Sequence, residues 1–161
     1  MGRAEDLVRE LDMQPHPERG WFAETYRSTH RVPGATGQER AASTAIYFLL
    51  SREAPTSYLH RLAHDELFHL YEGGPLEVLL LRDGVARVAR LGLDVRAGQR
   101  PQLVIPAGTW FGTELAAGAS HVLIGCTVAP GFDFADFELS SGSRLLADYP
   151  SEAARIQRMS R

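Results

Sequence analysis

The first dozen residues follow a helical pattern of apolar positions. Apolar side chains recur there at spacings of three and four, with charged residues between them: Ala4, Leu7, Val8 and Leu11. These spacings place apolar side chains on one face of a helix. Pro15 and Pro17 cannot continue such a helix, so the pattern predicts a short amphipathic helix over about residues 3–12.

Beyond residue 20 the pattern changes to short apolar or alternating runs. They occupy residues 21–28, 43–50, 55–62, 66–71, 76–81, 85–91, 102–105, 121–128 and 134–139. Turn sequences separate them, and Asp83-Gly84 between two apolar runs is the strongest hairpin signal. Many short strands with turns every ~8–12 residues predict an all-β antiparallel sandwich or barrel. We expect one domain over residues 1–161, with the barrel at about 20–140 and one or two short helices over 143–159, where Pro150 interrupts a helical composition.

Composition narrows the chemistry that such a domain can perform. Lysine is absent, since all 17 residues of the Lys+Arg total are arginine. This excludes Schiff-base enzymes, pyridoxal-phosphate enzymes and lysine-bearing phosphate loops, because each needs an ε-amine. The net charge is −3, and acidic and basic residues are interleaved. No basic stripe is available for a phosphate backbone, so we expect no nucleic-acid partner.

The apolar runs bear on the cellular location of the protein, and the cysteine content bears on thiol chemistry. The first ten residues are too charged for the core of a signal peptide, and no run approaches the ~20 apolar residues of a membrane span. We therefore expect a cytoplasmic protein with no membrane partner. The single cysteine, Cys126, lies in an apolar run, and we interpret it as an unreactive core residue rather than a nucleophile.

Histidine and carboxylate side chains concentrate between residues 57 and 74. His60, His64, His69 and Glu66 all lie there, and imidazole with carboxylate indicates a metal site or acid–base chemistry. The alternating pattern favours two strands joined near residues 63–65. Residues of equal parity share a face of a strand, so His60 and Glu66 are expected to face a common interior, whereas His69 points away from it.

Two motifs in this region resemble those of the cupin superfamily. The first cupin motif contains His-x-His, a glutamate and a final glycine, and His60, Glu66 and Gly73 match it in register. The second begins Pro-x-Gly, as at Pro106 and Gly108, and ends on a third histidine. The resemblance implies a double-stranded β-helix, or RmlC-like jelly-roll barrel, with a small-molecule pocket inside.

Longer blocks are similar to one uncharacterised cupin family, DUF985, also called Cupin_5. They span residues 17–27, 43–50 and 125–134, and the resemblance extends over about residues 4–150. It implies a homodimer. The apolar strands at 76–81 and 121–128 support that expectation, because their outer faces need a cover.

The departures from the cupin motifs bear on metal binding. Metal-binding cupins use both histidines of the first motif, its glutamate and the histidine of the second motif, but here Leu62 and Phe111 stand at two of these four places. His60 and Glu66 alone fall short of the three protein ligands of a usual catalytic site. We therefore expect no cofactor. The alternative is a divalent metal held by His60, Glu66 and a turn residue, His64.

The strand over residues 21–27 is a second candidate region. Strict alternation places Phe22, Glu24 and Tyr26 on one face and Arg27 on the other. Cupin-type sugar-nucleotide epimerases have a similar strand near the substrate, so the resemblance implies that Glu24, Tyr26 and Arg27 contact a ligand. The alternative is an edge strand at a dimer interface, with Glu24 and Arg27 solvated or paired.

The remaining histidines have structural interpretations. His16 and His30 lie in turns rich in proline or glycine, and we expect both on the surface. His121 is expected at the edge of the core. His69 is expected at an interface, where it donates to a carbonyl.

The leading hypothesis is a cupin that binds a small polar organic ligand, such as a sugar-like molecule, in its barrel. An alternative is an isomerase, epimerase or lyase that transfers protons, with His60 as base, a tyrosine such as Tyr26 as acid, and Glu66 beside them. A metal-dependent oxygenase is a third hypothesis. Since Arg27 and Arg61 have the parity of the outer face, we expect no strongly anionic ligand deep in the barrel. The expected ligand contacts are Glu24, Arg27, Tyr47, Leu62, Phe68 and Phe111.

Overall fold

The computed structural model describes residues 2–161. Strands predominate, with short helices near both ends of the chain. In order, the elements are α1 (Arg3–Glu10), β1 (Gln14–Pro15), β2 (Trp21–Arg27), β3 (Arg31–Pro33), β4 (Glu39–Ala41), β5 (Thr44–Ser51), β6 (His60–Leu62), β7 (Asp65–Gly73), β8 (Leu76–Arg82), β9 (Val85–Leu91), β10 (Gln102–Ile105), β11 (Trp110–Leu115), β12 (His121–Ala129), a 3₁₀ turn (Phe134–Asp136), β13 (Phe137–Leu139), α2 (Ser143–Asp148), a second 3₁₀ turn (Pro150–Glu152) and α3 (Ala153–Arg158).

Two antiparallel sheets form the walls of a barrel. One has six strands in the order β1-β2-β5-β12-β7-β10, and the other has five in the order β13-β6-β11-β8-β9. Strands distant in sequence lie side by side, as expected of a jelly roll. The main core lies between the sheets and includes Phe48, Phe68, Val78, Phe111 and Ile124. The predicted all-β barrel with short terminal helices is confirmed.

The predicted hairpin at Asp83-Gly84 is also confirmed. Arg82 pairs with Val85 across a two-residue turn, and Asp83 and Gly84 both have positive φ, as a type I′ turn requires. Elsewhere the predicted runs were too long. Residues 55–59 precede β6 without being part of a strand, and the run at 134–139 begins with a 3₁₀ turn.

The outer faces of the apolar strands are covered by the chain's own helices. Leu79 and Leu81 of β8 pack against α2, α3 and the residues around them, namely Leu145, Tyr149, Ile156 and Met159. Leu123 of β12 packs with Leu7 and Met13 at the N-terminal end of the chain. The expectation that these faces need a partner subunit is therefore wrong.

Candidate ligand-binding cavity

A cavity of about 350 Å³ opens into the barrel between the two sheets. Its walls come from β2, β5, β7 and β12 of the larger sheet, β6 and β13 of the smaller sheet, and the segments at 16–18 and 132–134. This volume lies within the range of small-molecule sites, which are mostly apolar with a few polar groups. The cavity therefore has the size and composition of a small-molecule site.

Strand register brings the inner residues of the larger sheet into rows. Ile46 lies opposite Cys126, and Val128 lies between Thr44 and Glu66. Because alternate residues share a face, Glu66 and Cys126 reach the same cavity wall from neighbouring strands.

His60 forms a buried pair with Glu18, a residue for which the sequence pattern predicted no role. His60 Nε2 lies 2.7 Å from Glu18 Oε2, and His60 Nδ1 lies 2.6 Å from the carbonyl oxygen of Tyr58. Because a carbonyl can only accept, Nδ1 carries a proton and donates it. Both ring nitrogens are thus engaged by the protein, so His60 has no nitrogen free to act as the general base that the sequence suggested.

Glu18 and His60 each stabilise the ionised form of the other. Burial alone would raise the pKa of Glu18, but the charge of His60, that of His16 and the hydrogen bond from His60 lower it overall. Burial alone would lower the pKa of His60, but the charge of Glu18, its hydrogen bond and the Tyr58 carbonyl raise it overall. The pair is therefore an imidazolium and a carboxylate in close contact.

His16 is buried beside this pair, so the prediction of a surface histidine was wrong. Its Nδ1 accepts a hydrogen bond from the backbone N–H of Glu18 at 3.1 Å, and its ring packs edge-on against Phe22 at 4.7 Å. Burial lowers the pKa of His16, although the charge of Glu18 opposes this effect. At neutral pH His16 is accordingly uncharged, with its proton on Nε2, and it carries a charge only in the acidic range in which Glu18 titrates.

Glu66 is the polar group of the cavity that the protein leaves unpartnered. Only 8% of the residue is exposed, yet its carboxyl forms no hydrogen bond or ion pair within residues 2–161. Burial, reinforced by the charge of Glu18 and opposed by His60, raises the pKa of Glu66 to about 8. At neutral pH Glu66 is a neutral carboxylic acid with a proton available to a ligand.

Cys126 lies on the same wall as Glu66. It is a free, buried cysteine, and burial together with the charges of Glu66 and Glu18 raises the pKa of its thiol well above the usual value. A thiol in such a setting is protonated and weakly nucleophilic. This agrees with the interpretation of Cys126 as an unreactive residue, although it contacts the cavity.

The mouth of the cavity carries an ion pair. Arg27 donates to Glu24 Oε1 at 2.6 Å and to the carbonyl oxygen of Phe132 at 3.1 Å. Both side chains are about half exposed. Glu24 and Arg27 thus reach the cavity as the resemblance implied, but they are occupied with each other.

Three phenylalanines, Phe132, Phe134 and Phe137, form the wall on this side, called here the phenylalanine wall. Their ring centroids lie 4.9 to 6.1 Å apart. The segment that carries them is fixed by a buried ion pair between Asp136 and Arg40, with N–O distances of 2.8 and 3.0 Å. Thr44 Oγ1 also accepts a hydrogen bond from the Phe132 N–H at 2.9 Å.

Two of the predictions for β2 were wrong because the strand contains a β-bulge. The register against β5 shifts between Glu24 and Tyr26, so one extra residue reverses the alternation that follows. Tyr26 consequently turns outwards, is 55% exposed and does not line the cavity, whereas Arg27 does. Tyr26 is therefore not positioned as a catalytic acid, and the argument that alternation turns Arg27 outwards was wrong.

The other expected ligand contacts divide between the cavity and the packing behind it. Leu62 lines the cavity. Tyr47 lies on the outer face of β5, edge-on to Tyr71 at 6.0 Å, because its parity is opposite to that of Ile46. Phe68 and Phe111 belong to the main core and are not part of the cavity wall.

The residues brought together here do not fit the metal site of a cupin. His64 accepts a hydrogen bond from the Ala35 N–H and lies 3.6 Å from Asp136, so it does not join His60 and Glu66. The ring of Phe111, at one of the usual ligand positions, packs against His60 at 4.1 Å. Over residues 2–161, no three His, Cys, Asp or Glu side chains are grouped so that they could hold a metal ion.

The sequence alone did not identify Glu18 or His16 as residues of the cavity. They lie in the segment between β1 and β2, where no periodicity indicates which side chains turn inwards. Its path is set by tertiary contacts, including the backbone hydrogen bond from the Tyr58 N–H to the Glu18 carbonyl at 2.8 Å. The only available signal was that Glu18 lies inside a block similar to DUF985.

Comparisons with known proteins agree with this architecture. Residues 5–140 match the family described as Cupin superfamily (DUF985). A hypothetical protein from Leishmania major is 36% identical, with a TM-score of 0.91 over 99% of both chains. A protein from Shewanella oneidensis is 38% identical, with a TM-score of 0.89 over 100% of this chain and 99% of that one. An uncharacterised Saccharomyces cerevisiae protein is 29% identical over 94% of this chain and 83% of its own length.

No helix within residues 2–161 is long and apolar enough to cross a membrane.

Proposed function

Because the chain belongs to the DUF985 family of the cupin superfamily, we propose that it binds a small polar organic ligand in the barrel cavity. The observation that carries the proposal is Glu66, a buried carboxyl at the cavity with no protein partner among the described residues. Because Glu66 lines the cavity, a molecule held there would supply the hydrogen-bonding partner that the protein does not.

A screen of small molecules tests this proposal. The chain has one cysteine, so protein labelled with ¹³C at cysteine Cβ gives a single NMR signal, and it comes from the cavity wall. We expect members of a fragment set that includes sugars, neutral polar molecules, cations and anions to shift this signal in a saturable manner.

The control for the screen is a variant that fills the cavity. Leu62→Phe places a larger side chain in the space lined by Leu62, and we expect it to abolish the shifts. The variant Val85→Ala, at an exposed site on β9 that does not line the cavity, is expected to preserve them. A set of several hundred fragments of which none shifts the Cys126 signal would contradict the proposal.

A proton-transferring isomerase, epimerase or lyase is the second candidate. The observation that favours it is that Glu18 and Glu66 are pushed to opposite protonation states, the pKa of one being lowered and that of the other raised to about 8. Such a divergence is typical of acid and base groups in active sites. In this scheme Glu66 is the acid that contacts the substrate, and His60 positions Glu18 without touching the substrate.

Solvent exchange distinguishes an enzyme from a binding protein. In D₂O, an enzyme of this kind incorporates deuterium into a bound ligand at carbon, and Glu66→Gln abolishes the incorporation because an amide cannot supply the proton. A binding protein leaves the ligand unlabelled. Ligands from the screen that bind but never exchange would eliminate the catalytic candidate.

The assembly is proposed to be a homodimer. Its support is the outer face of the larger sheet, where the neighbouring strands β7 and β10 expose the apolar side chains of Tyr71 and Val104, which a partner subunit would bury. Light scattering is expected to return twice the 17.8 kDa of one chain. A mass near 18 kDa would refute the dimer.

Domain organisation and location are also proposals. We propose that residues 1–161 form one domain, supported by the packing of the terminal helices on the barrel, and limited proteolysis without an early internal cut is the expected result. We propose a cytoplasmic location, supported by the free thiol of Cys126, which suits a reducing compartment. Cell fractionation tests it.

A further inference from the structure

The charged groups at the cavity differ in whether the protein already satisfies them. The cations are engaged: Arg27 contacts Glu24 and the Phe132 carbonyl, and His60 contacts Glu18 and the Tyr58 carbonyl. Among the lining residues within 2–161, no other arginine is present. An anionic ligand would therefore find no cation that is not already paired.

Two of the four lining carboxyl groups are in the opposite situation, whereas Glu18 and Glu24 are paired with His60 and Arg27. Glu66 has no partner, and Asp133, at the mouth, accepts a hydrogen bond from the Ala135 N–H but forms no ion pair within the described residues. A buried charge is tolerated when an opposite charge accompanies it. If Glu66 releases its proton, the cavity can thus accept a positive charge there without a change in its net charge, whereas an added negative charge would stay uncompensated.

The apolar lining suits a cation of moderate size. Phe22 lies on β2, and the phenylalanine wall lies on the segment at 132–137, so the cavity has four phenylalanine rings among its lining residues. Aromatic faces attract organic cations, most strongly where water is excluded. Cages of aromatic rings are a recurrent arrangement for quaternary ammonium ligands.

We propose that the ligand of this cavity is a small organic cation, whose nitrogen pairs with Glu66 and whose apolar part lies against the phenylalanine rings. The inference rests on the proposal that the cavity binds a small molecule, and it specifies the chemical class. It also implies that Glu66 releases a proton when the cation binds. Binding of the cation converts the neutral Glu66 carboxyl to a carboxylate, and the proton leaves to the solvent, so the net charge of the site does not change.

Calorimetry with three probes of similar shape tests the inference: benzyltrimethylammonium, benzyl alcohol and benzoate. The cation is permanently charged, so any proton released comes from the protein. We expect the cation to bind at least about tenfold more tightly than the alcohol, and the benzoate more weakly than both. Titrations at about pH 7 in buffers of different ionisation enthalpy are expected to show release of about one proton for each cation bound.

Two variants locate the effect at Glu66. Glu66→Gln keeps the size and polarity of the side chain but cannot become negative, so we expect it to lose the preference for the cation and the proton release. Glu53→Gln, at an exposed site away from the cavity, is expected to behave as the wild type. Proton release by the wild type tests the inference even if Glu66→Gln folds poorly.

The outcomes separate this inference from the proposal on which it rests. Tighter binding of benzyl alcohol or benzoate than of the cation, or cation binding without proton release, overturns the inference but leaves small-molecule binding intact. If none of the three probes binds while other fragments shift the Cys126 signal, the inference again fails alone. If no fragment shifts that signal either, both fail.

Discussion

Replacing Glu66 by glutamine is expected to change how stability depends on pH. In the folded protein the pKa of Glu66 is raised from its ordinary value of 4.5 to about 8 by burial. Between these values the unfolded chain loses the proton that the folded chain retains, so the contribution of Glu66 to stability is fully present below about pH 4.5 and is lost progressively up to about pH 8. One pKa unit corresponds to about 1.4 kcal/mol, so above pH 8 the free energy of unfolding is lower by about 5 kcal/mol than it is below pH 4.5.

Glutamine cannot ionise, so Glu66→Gln does not suffer this loss. The free energy of unfolding of the variant, relative to wild type, is expected to rise by about 3 kcal/mol or more between about pH 5 and pH 9. Urea unfolding at several pH values measures it, and Glu53→Gln serves as the exposed control. A difference between Glu66→Gln and wild type that stays constant across this range would show that Glu66 ionises normally in the folded state, and the reasoning would be refuted.

Three further predictions concern the anchoring of the phenylalanine wall, the turn after β7 and the metal content of the purified protein. Asp136→Asn leaves the Arg40 guanidinium without its charge partner, so it is expected to lower the urea midpoint and weaken binding of any cavity ligand; unchanged midpoint and affinity would contradict the anchoring role. Gly73→Ala is expected to destabilise the fold by more than about 1–2 kcal/mol, because Gly73 has positive φ and an added Cβ would meet the His121 carbonyl. Gly37→Ala is the matched control, with positive φ but open space, and equal losses in the two variants would disprove the clash. Elemental analysis of the purified protein is expected to find no stoichiometric iron, manganese, nickel or zinc. A stoichiometric metal that His60→Ala removes would contradict the conclusion that the cavity residues do not fit a metal site.

The parts of the site that lie on regular strands were predictable from the sequence. Alternation and the cupin motif together placed His60 and Glu66 at a common interior, and Leu62 beside them, because the side-chain period of a strand is fixed. The same rule failed in β2, where the bulge between Glu24 and Tyr26 reversed the direction of every later side chain. A bulge depends on the pairing of two strands, so the residues of β2 alone do not reveal it.

Residues outside regular elements were the main omission. Glu18 and His16 lie on an irregular segment, and the backbone conformation there is selected by contacts with distant residues such as Tyr58. The protonation state of Glu66 was also beyond the sequence, because it depends on burial and on the negative charge of Glu18. The sequence therefore identified the centre of the cavity but not the partner that makes His60 unavailable as a base.

The central claim is that Glu66 is a neutral acid aimed at a ligand, and carboxyl NMR tests it most directly. Protein labelled with ¹³C at glutamate Cδ, with Glu66→Gln to assign the signal, can be titrated without and with the tightest-binding fragment. The account predicts that Glu66 titrates at about pH 8 in the free protein and that the bound fragment displaces this midpoint. Titration near the ordinary value of 4.5, or a midpoint that a bound fragment leaves unchanged, would contradict it.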